Sequence, residues 1–513
     1  MAKLDSVDRL YRNAVALHKA GDLNAAAKDY SSALELNPTH LPSLNNLAAT
    51  RAALGDSASA ATLYRSAIAL HPDAAESHGN LGNLLRDIGD LEGAAEHYAA
   101  CLEYAPGSAE VRYALGVVLR ALGHSDTAAT HLWRAAKELV RDPNPWIALA
   151  VLALERNETE EASSHIAKAL DVASDNADAL NVLGLISRAR ADFVGARKAF
   201  DQALAADPNH AEGNYNRGTL RLLLGDWLGG WADFEWRWKN RPPLTGVPTH
   251  LPQWRGEPLR GQTVLLLGEQ GYGDTIQFIR FAPRLEAMGA RVIVHCRSAL
   301  HRLIAEAPGV DGVGNLGDAV DAQVWSPLMS LPFILGTREH DIPANEGYFR
   351  LPRPSTQEHG VRRIGLVWAG SPTHGNDAIR SIRLEDLAPI LSCNGYAFCS
   401  LQMGERRNDL SQYSGKSQIV DIMSNVTDFR DTAERLTDLD ALISVDTAVA
   451  HLAGAMGIPT FVLLPHVPDW RWMLSRPDTP WYRSMRLFRQ STPGNWLRPV
   501  LAMREVLSNL SRP

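Results

Sequence analysis

In the first 240 residues of this 513-residue chain, small and turn-forming residues recur every 34 positions, and that period limits the fold more than any other feature. Glycines stand at Gly21, Gly55, Gly89 and Gly123, with Gly225 three periods on, and prolines keep the same step at Pro38, Pro72, Pro106 and Pro208. Between these marks Ala26, Ala60, Ala94, Ala128, Ala162, Ala196 and Gly230 are all small, while Tyr30, Tyr64, Tyr98, Leu132, Ile166, Phe200 and Phe234 are all large. Small residues at Ala48, Gly82, Gly116, Ala150, Gly184 and Gly218 let the first helix of each unit approach its neighbour; the mid-repeat glycine ends that helix and the proline breaks the second. Seven antiparallel helix pairs follow. Units four and five lack the proline (Val140, Ser174) and units five and six lack the glycine (Asn157, Ala191), which predicts a bent or loosened middle, with RDPNPW at 141–146 as the irregular join.

At each of these positions the chain resembles the tetratricopeptide repeat (TPR), over residues 7–240. A stack of such pairs makes a groove of the kind that holds peptide segments of other proteins; its other use is homo-oligomerisation. Asn46, Asn80 and Asn216 share one phase of the repeat. In the protein O-GlcNAc transferases, which the architecture resembles, asparagines at that place grip an extended acceptor, so these three are the candidate acceptor-binding residues. An exposed helix face explains them equally well. The last repeat closes in DWLGGWADFEWRWKNRP, whose Trp227, Trp231, Trp236 and Trp238 predict a seam onto a following domain, after a proline-rich connector at 241–261.

Charge divides at the same place. Through Lys239 there are 23 Lys and Arg against 31 Asp and Glu, a net of −8; the remainder has 51 − 23 = 28 against 58 − 31 = 27, a net of +1. Of those 28 basic residues 27 are Arg, the side chain suited to forked recognition of phosphate, and Lys416 is the exception. A whole-chain net charge of −7 argues against a nucleic-acid coat. Cys101, Cys296, Cys393 and Cys399 make no metal-type pair, and no run is long enough to span a membrane, so a reduced cytoplasmic setting is expected.

From residue 262 strands alternate with helices, the pattern of parallel α/β sheets. TVLLLG at 263–268 and RVIVHC are strand runs; the pattern restarts with RIGLVWAG at 363–370, FCSLQ at 398–402, ALISVD at 441–446 and TFVLLP at 460–465. SVDTAVAHLAGAMG ends a strand at Asp446 and opens a helix at Thr447, Ala448 and Val449, whose free N–H groups and dipole make an anion site. An N-cap Asp446 and a core His451 are the plainer reading.

Together, LGEQGYGD, GLVWAGSPTHGND, DFRDTA and SVDTAVAHLAGAMG resemble the heptosyltransferase family of GT-B glycosyltransferases over residues 250–500. The resemblance implies two Rossmann-like lobes with a cleft between: 262–355 on the acceptor side, 356–500 on the nucleotide-sugar side, and 469–513 returning toward the first lobe. It implies Asp274 as general base, and Trp368, Gly370, Gln402, Asp446, Thr447, Ala448 and His451 as donor-binding residues. Asp274 at a helix start also reads as a cap. The family's phosphate-binding Lys has no counterpart, so Arg380 or Arg383 would take its place, with His374 weaker and Arg471 a further ligand contact. Asp428 and Asp431 read as helix caps, and Trp470, Trp472, Trp481 and Tyr482 as packing. No metal and no cofactor beyond the nucleotide-sugar donor is implied. The expected activity is metal-independent glycosyl transfer to Ser/Thr hydroxyls of a protein held by the repeats; similarity to the flagellin-modifying glycosyltransferases names flagellin as first acceptor. A lipopolysaccharide or glycan acceptor, and a TPR scaffold whose second part no longer turns over, are the alternatives.

Overall fold

The computed structural model describes residues 2–240, 246–343, 347–352, 361–415 and 417–510. It divides into two compact units, Met1–Ile186 and Ser187–Pro513. Lys416, the first five connector residues (241–245) and the expected boundary at 355/356 lie outside the described residues.

The first unit holds the helix pairs Ala2–Lys19 with Leu23–Leu36, Leu41–Ala53 with Ser57–Leu70, Ala75–Asp87 with Leu91–Tyr104, Ala109–Ala121 with Ser125–Glu138, and Asn144–Glu155 with Thr159–Val172. The reversal within a pair takes three residues, and in the first three pairs a Gly-Asp dipeptide does two jobs there. Gly21, Gly55 and Gly89 adopt φ of 84°, 83° and 86°, the left-handed exit from a helix. Asp22, Asp56 and Asp90 then cap the next helix by accepting from the Ala25, Ser59 and Gly93 N–H groups at 3.0, 3.1 and 3.0 Å. The expected loosening does not occur: Asn157 and Ala191 take the same left-handed turn, each at φ 61°, because the tertiary register holds the backbone there. RDPNPW is irregular as anticipated. The link grows from four residues (105–108) to five (139–143), and Asp142 Oδ1 accepts the Asn144 N–H at 2.9 Å. Each large residue of the repeat is buried against the small one of its partner helix; a Cβ on Gly82 would come within 2.7 Å of the Tyr98 ring.

In the second unit the helices Phe193–Ala206, Ala211–Leu223 and Trp227–Phe234 complete the repeats and pack onto two parallel sheets. Strands β1 (Thr263–Leu267), β2 (Arg291–His295), β3 (Gly312–Gly314) and β4 (Val324–Pro327) form the first sheet, ordered β3-β2-β1-β4. The second contains β5 (Arg362–Val367), β6 (Tyr396–Ser400), β7 (Ile419–Asp421), β8 (Ala441–Val445), β9 (Thr460–Leu464) and β10 (Met485–Arg489), ordered β10-β9-β8-β5-β6-β7. The continuous apolar runs of β1, β8 and β9 are buried on both faces, as a helix-covered parallel sheet requires.

Three joins tie these parts together. Trp231, 1% exposed, donates its indole N–H to Thr337 O at 3.0 Å and meets Phe278, Trp470 and Trp481 edge-on. From Gly246 the connector is no free linker: the Trp254 and Trp325 N–H groups donate to Trp325 O and Pro252 O, so it lines β4. The segment after β9 reaches the first sheet's helices, but the expected return of 469–513 stops near Tyr482. Beyond it β10 joins the second sheet, and helix Leu497–Leu510 buries Val500, Met503 and Leu507 in that sheet's core. Among the described residues no helix is long and apolar enough to cross a membrane.

Candidate functional site

A parallel sheet offers a ligand crevice where its strand order reverses, at the carboxyl ends of two adjacent strands whose loops diverge. In the first sheet this is β1/β4, and the protein fills it itself. The Arg237 guanidinium, from the tail of the last repeat, donates Nε and Nη2 to the two oxygens of Glu269 at 3.0 and 2.6 Å, and Nη2 to Ser330 Oγ at 2.7 Å. Arg237 and Glu269 are 2% and 5% exposed, and burial pushes the Glu269 carboxyl up while its arginine holds it down. In the second sheet the reversal lies between β5 and β8, flanked by the loops 368–381 and 446–451.

Here the structure gathers Asp446, Arg380, His451, Asp469, Arg471 and, from the first half, Asp274. The helix Ala448–Ala455 is capped by Thr447, whose Oγ1 accepts the Ala450 N–H at 3.3 Å. Asp446, expected as the cap, is therefore free of that duty. Ala448 is small where another helix comes close. The Tyr272–Phe278 helix packs against it, so that a Cβ on Gly273 would lie 3.4 Å from Ala448 Cα and 2.8 Å from His451 Cδ2. His451 is 5% exposed, stacked 5.3 Å from Trp472, with Nδ1 2.9 Å from the Tyr482 hydroxyl and Nε2 3.8 Å from Asp446 Oδ1. Burial, helped by Arg471, lowers its pKa to about 3.

Arg471 joins the two halves. It donates Nε to Gln277 Oε1 at 2.7 Å, Nη1 to Asp469 Oδ1 at 2.8 Å and Nη2 to Asp274 Oδ1, and it lies 4.3 Å over the Trp470 ring. Burial and the charge of Asp469 raise the Asp446 carboxyl to about 6 against the pull of Arg380 and Arg471, while Arg471 holds Asp469 low. Arg188 of the sixth repeat, bonded through Nη1 to Thr219 Oγ1 at 3.0 Å, adds positive charge beside Asp469. Among the described residues of this crevice, two buried donors lack a hydrogen bond of good geometry, Gln277 Nε2 and Trp472 Nε1. The first belongs to the residue that grips Arg471, and the second is turned toward Asp446.

Other expected residues divide sharply. Arg380 lies against the Gly370 backbone, where a Cβ would strike its guanidinium, and pairs with Asp377 at 3.5 Å. Arg383 turns outward onto Asp386 at 2.9 Å with its side chain 72% exposed, so Arg380 is the arginine of the crevice. His374 lies on the exposed part of the same loop. Gln402 is corrected: its Oε1 accepts the Trp368 and Ala369 N–H groups, each at 3.0 Å, and its Nε2 donates to Ala369 O and Met403 O. With every polar atom bound to backbone, it shapes the loop and has nothing left for a nucleotide base. Trp368 is fully buried with its indole N–H on Asp409 Oδ2 at 2.9 Å, and is likewise structural. Asp428 caps helix Phe429–Thr437 as expected, and with Asp431 it also takes Arg302 from the first half at 3.0 and 2.8 Å. In the repeats Asn46 donates to the Tyr11 hydroxyl at 3.1 Å, which occupies one rung of the expected ladder. Asn80 and Asn216 are half-buried on helices Ala75–Asp87 and Ala211–Leu223. Asp469 and Gln277 were not foreseen; the one local signal was Asp-x-Arg just past the carboxyl end of β9.

Comparison with known proteins first defines a class of repeat: a tetratricopeptide repeat model matches residues 11–75, 45–102, 80–143, 147–211 and 188–229. Protein FlbA of Caulobacter vibrioides is 25% identical over 422 residues, 68% of this chain and 70% of that protein. Among solved structures, a tetratricopeptide repeat protein from Parabacteroides merdae is 18% identical and spans 45% of this chain and 91% of its own, with TM-score 0.41. PilF of Pseudomonas aeruginosa is 18% identical over 42% of this chain and 97% of its own, with TM-score 0.37.

Proposed function

We propose that the chain is a glycosyltransferase that moves a sugar from a nucleotide-sugar donor to Ser/Thr hydroxyls of a protein bound by the repeats, with flagellin as acceptor, in the reducing cytoplasm. The observation that carries this reading is the group of side chains gathered at the β5/β8 strand reversal. A capped helix N-terminus and Arg380 face it from the second half, and the Asp274 helix faces it from the first. A diphosphate leaving group develops negative charge as its bond to the anomeric carbon breaks, and fixed positive groups lower that barrier. Arg380 and the N–H groups of Ala448 and Val449 supply them without a metal. The filled crevice of the first half supports one donor site, on the second half, and leaves the first half to the acceptor.

Intact-mass measurement of flagellin co-expressed with the chain tests this. Wild type adds one or more glycosyl masses, and Arg380→Ala lowers the rate by about 10²–10³-fold, the range found for removal of one oxyanion donor. Flagellin of unchanged mass in the presence of wild type would refute the reading.

A further inference from the structure

Asp274, the base that the sequence resemblance implies, owes its orientation to a residue of the other half. Its Oδ2 accepts the Gly271 N–H at 2.8 Å and its Oδ1 the Arg471 Nη2. An ionised carboxylate offers about four lone-pair sites, so room remains for a hydroxyl proton. The Arg471 fork spans one turn of the helix Tyr272–Phe278: Nη2 takes Asp274, and Nε takes Gln277 Oε1 at 2.7 Å. One guanidinium thus sets both the rotation of that turn and the direction of the carboxylate. The guanidinium is held in its turn from the second half. Its Nη1 donates to Asp469 Oδ1 at 2.8 Å, the same oxygen accepts the Arg471 backbone N–H at 3.1 Å, and Trp470 and Trp472 are buried to either side in sequence. Gln277 shows which contact the packing favours. It is fully buried, yet it presents its oxygen to Arg471 and leaves Nε2 without a hydrogen bond of good geometry. The reversed amide would set donor against donor.

Resting on the glycosyl-transfer reading with Asp274 as base, we propose that Arg471 is the positioning residue of this site: it carries the geometry of the second half to the carboxylate of the first. In the step, the acceptor hydroxyl oxygen bonds to the anomeric carbon, the bond from that carbon to the phosphate oxygen breaks with its electron pair leaving on the nucleotide, and the hydroxyl proton passes to Asp274. Arg471 touches none of the reacting atoms. It aims Asp274 only while the helix Tyr272–Phe278 is drawn against the turn that follows β9, so the base is in place when the two halves are in register. Lysine is no substitute, because one ammonium on a flexible stem does not reach three partners in the plane of a fork.

The test measures kcat and donor KM for wild type, Asp274→Asn, Arg471→Lys and Gln277→Met, and for the last two combined in turn with Asp274→Asn. Purified flagellin is the acceptor and UDP-N-acetylglucosamine, GDP-mannose, ADP-heptose and CMP-N-acetylneuraminate are the donors, with intact mass as readout. Asp274→Asn is expected to lower kcat by about 10²–10⁴-fold. Arg471→Lys should lower it by about 10²-fold, the cost of a misplacement of about 1 Å, and Gln277→Met by a smaller factor, each with KM little changed. In the Asp274→Asn background neither should lower kcat further, because both act through that one carboxylate. Gln277→Met removes the unbonded amide N–H together with the bonded oxygen, so it disturbs the fold less and carries the test where Arg471→Lys does not fold. Full kcat in Arg471→Lys, losses that multiply in the combined variants, or a raised donor KM that makes Arg471 a ligand contact each overturn the assignment and leave the transferase reading standing. Full kcat in Asp274→Asn removes the base and its positioning residue together. Wild type inactive with all four donors overturns the transferase reading as well.

Discussion

The His451 ring sits between the indole of Trp472 and the hydroxyl of Tyr482, and both neighbours suit the neutral form. Its lowered pKa has a defined consequence for stability. Below its unfolded value of about 6.5 the unfolded chain takes up a proton that the folded chain refuses until about pH 3. Stability is therefore full above pH 6.5 and drains away as pH falls through that window. Asp446 works in reverse, since its folded form gains a proton near pH 6 that the unfolded chain accepts only near 4. Removing the histidine exposes the second effect alone: between pH 6.5 and pH 4, His451→Phe should lose less unfolding free energy than wild type, by about 3 kcal/mol, as read by urea titration. Equal slopes in both proteins would mean the ring titrates normally. At this scale the sequence showed where His451 and Asp446 lie along the chain but not what surrounds them. Trp472 and Tyr482 come 21 and 31 residues after His451 in sequence, and no local pattern states that contact. Gln402 misled for the same reason: a strand-end amide reads as a ligand group until its backbone partners are seen.

Among the elements, the repeats were the most legible because one register dictates every helix pair. What escaped was the Gly-Asp signature at the first three reversals and the last, and a side chain at a second fixed phase. His78, Arg112 and Asn214 each bond the carbonyl six residues earlier, of Pro72, Pro106 and Pro208. Both devices join the turn to the helix that follows it, and both are hidden when conserved spacing is sought only among apolar positions. Ala191 is where the register overrides local preference. It keeps a left-handed turn, at φ 61°, that a residue with a Cβ resists by about 1 kcal/mol. Ala191→Gly should relieve that strain and stabilise the second unit by up to about 1 kcal/mol, the upper end of what chain entropy leaves; a destabilised variant would show the turn unstrained. In the sheets, the long apolar strands were legible and the edges β3, β7 and β10 were not, since Gly-Val-Gly, Ile-Val-Asp and an arginine-flanked MRLFR carry too little apolar pattern.

Across the whole molecule, the change in charge and pattern near residue 240 marks where one kind of secondary structure gives way to another, and the compact units divide elsewhere, at 186/187. The last helix pairs belong with the sheets because their side chains complete them. Trp231 fills the apolar space between Phe278, Trp470 and Trp481, Arg237 neutralises Glu269, and Arg188 faces Asp469. Breaking a buried ion pair by removing one partner costs about 3–5 kcal/mol, because the remaining charge has no solvent to replace it. Truncation should therefore be tolerated at one point and not at the other. A chain of residues 175–513 keeps the helix Ala177–Ala189 whole, along with every one of these contacts, and is expected to unfold cooperatively in calorimetry and, on the proposed function, to respond to nucleoside diphosphates as the full chain does. On the proposed function it should modify flagellin poorly, having lost five of the seven repeats assigned there to the acceptor. A chain of residues 262–513 strands Glu269 and opens the Trp231 pocket, and is expected to show no cooperative transition. If the shorter chain folded as well as the longer, the final repeats would be a detachable adaptor, and Arg237 would have to be read as decoration on a sheet that is stable without it.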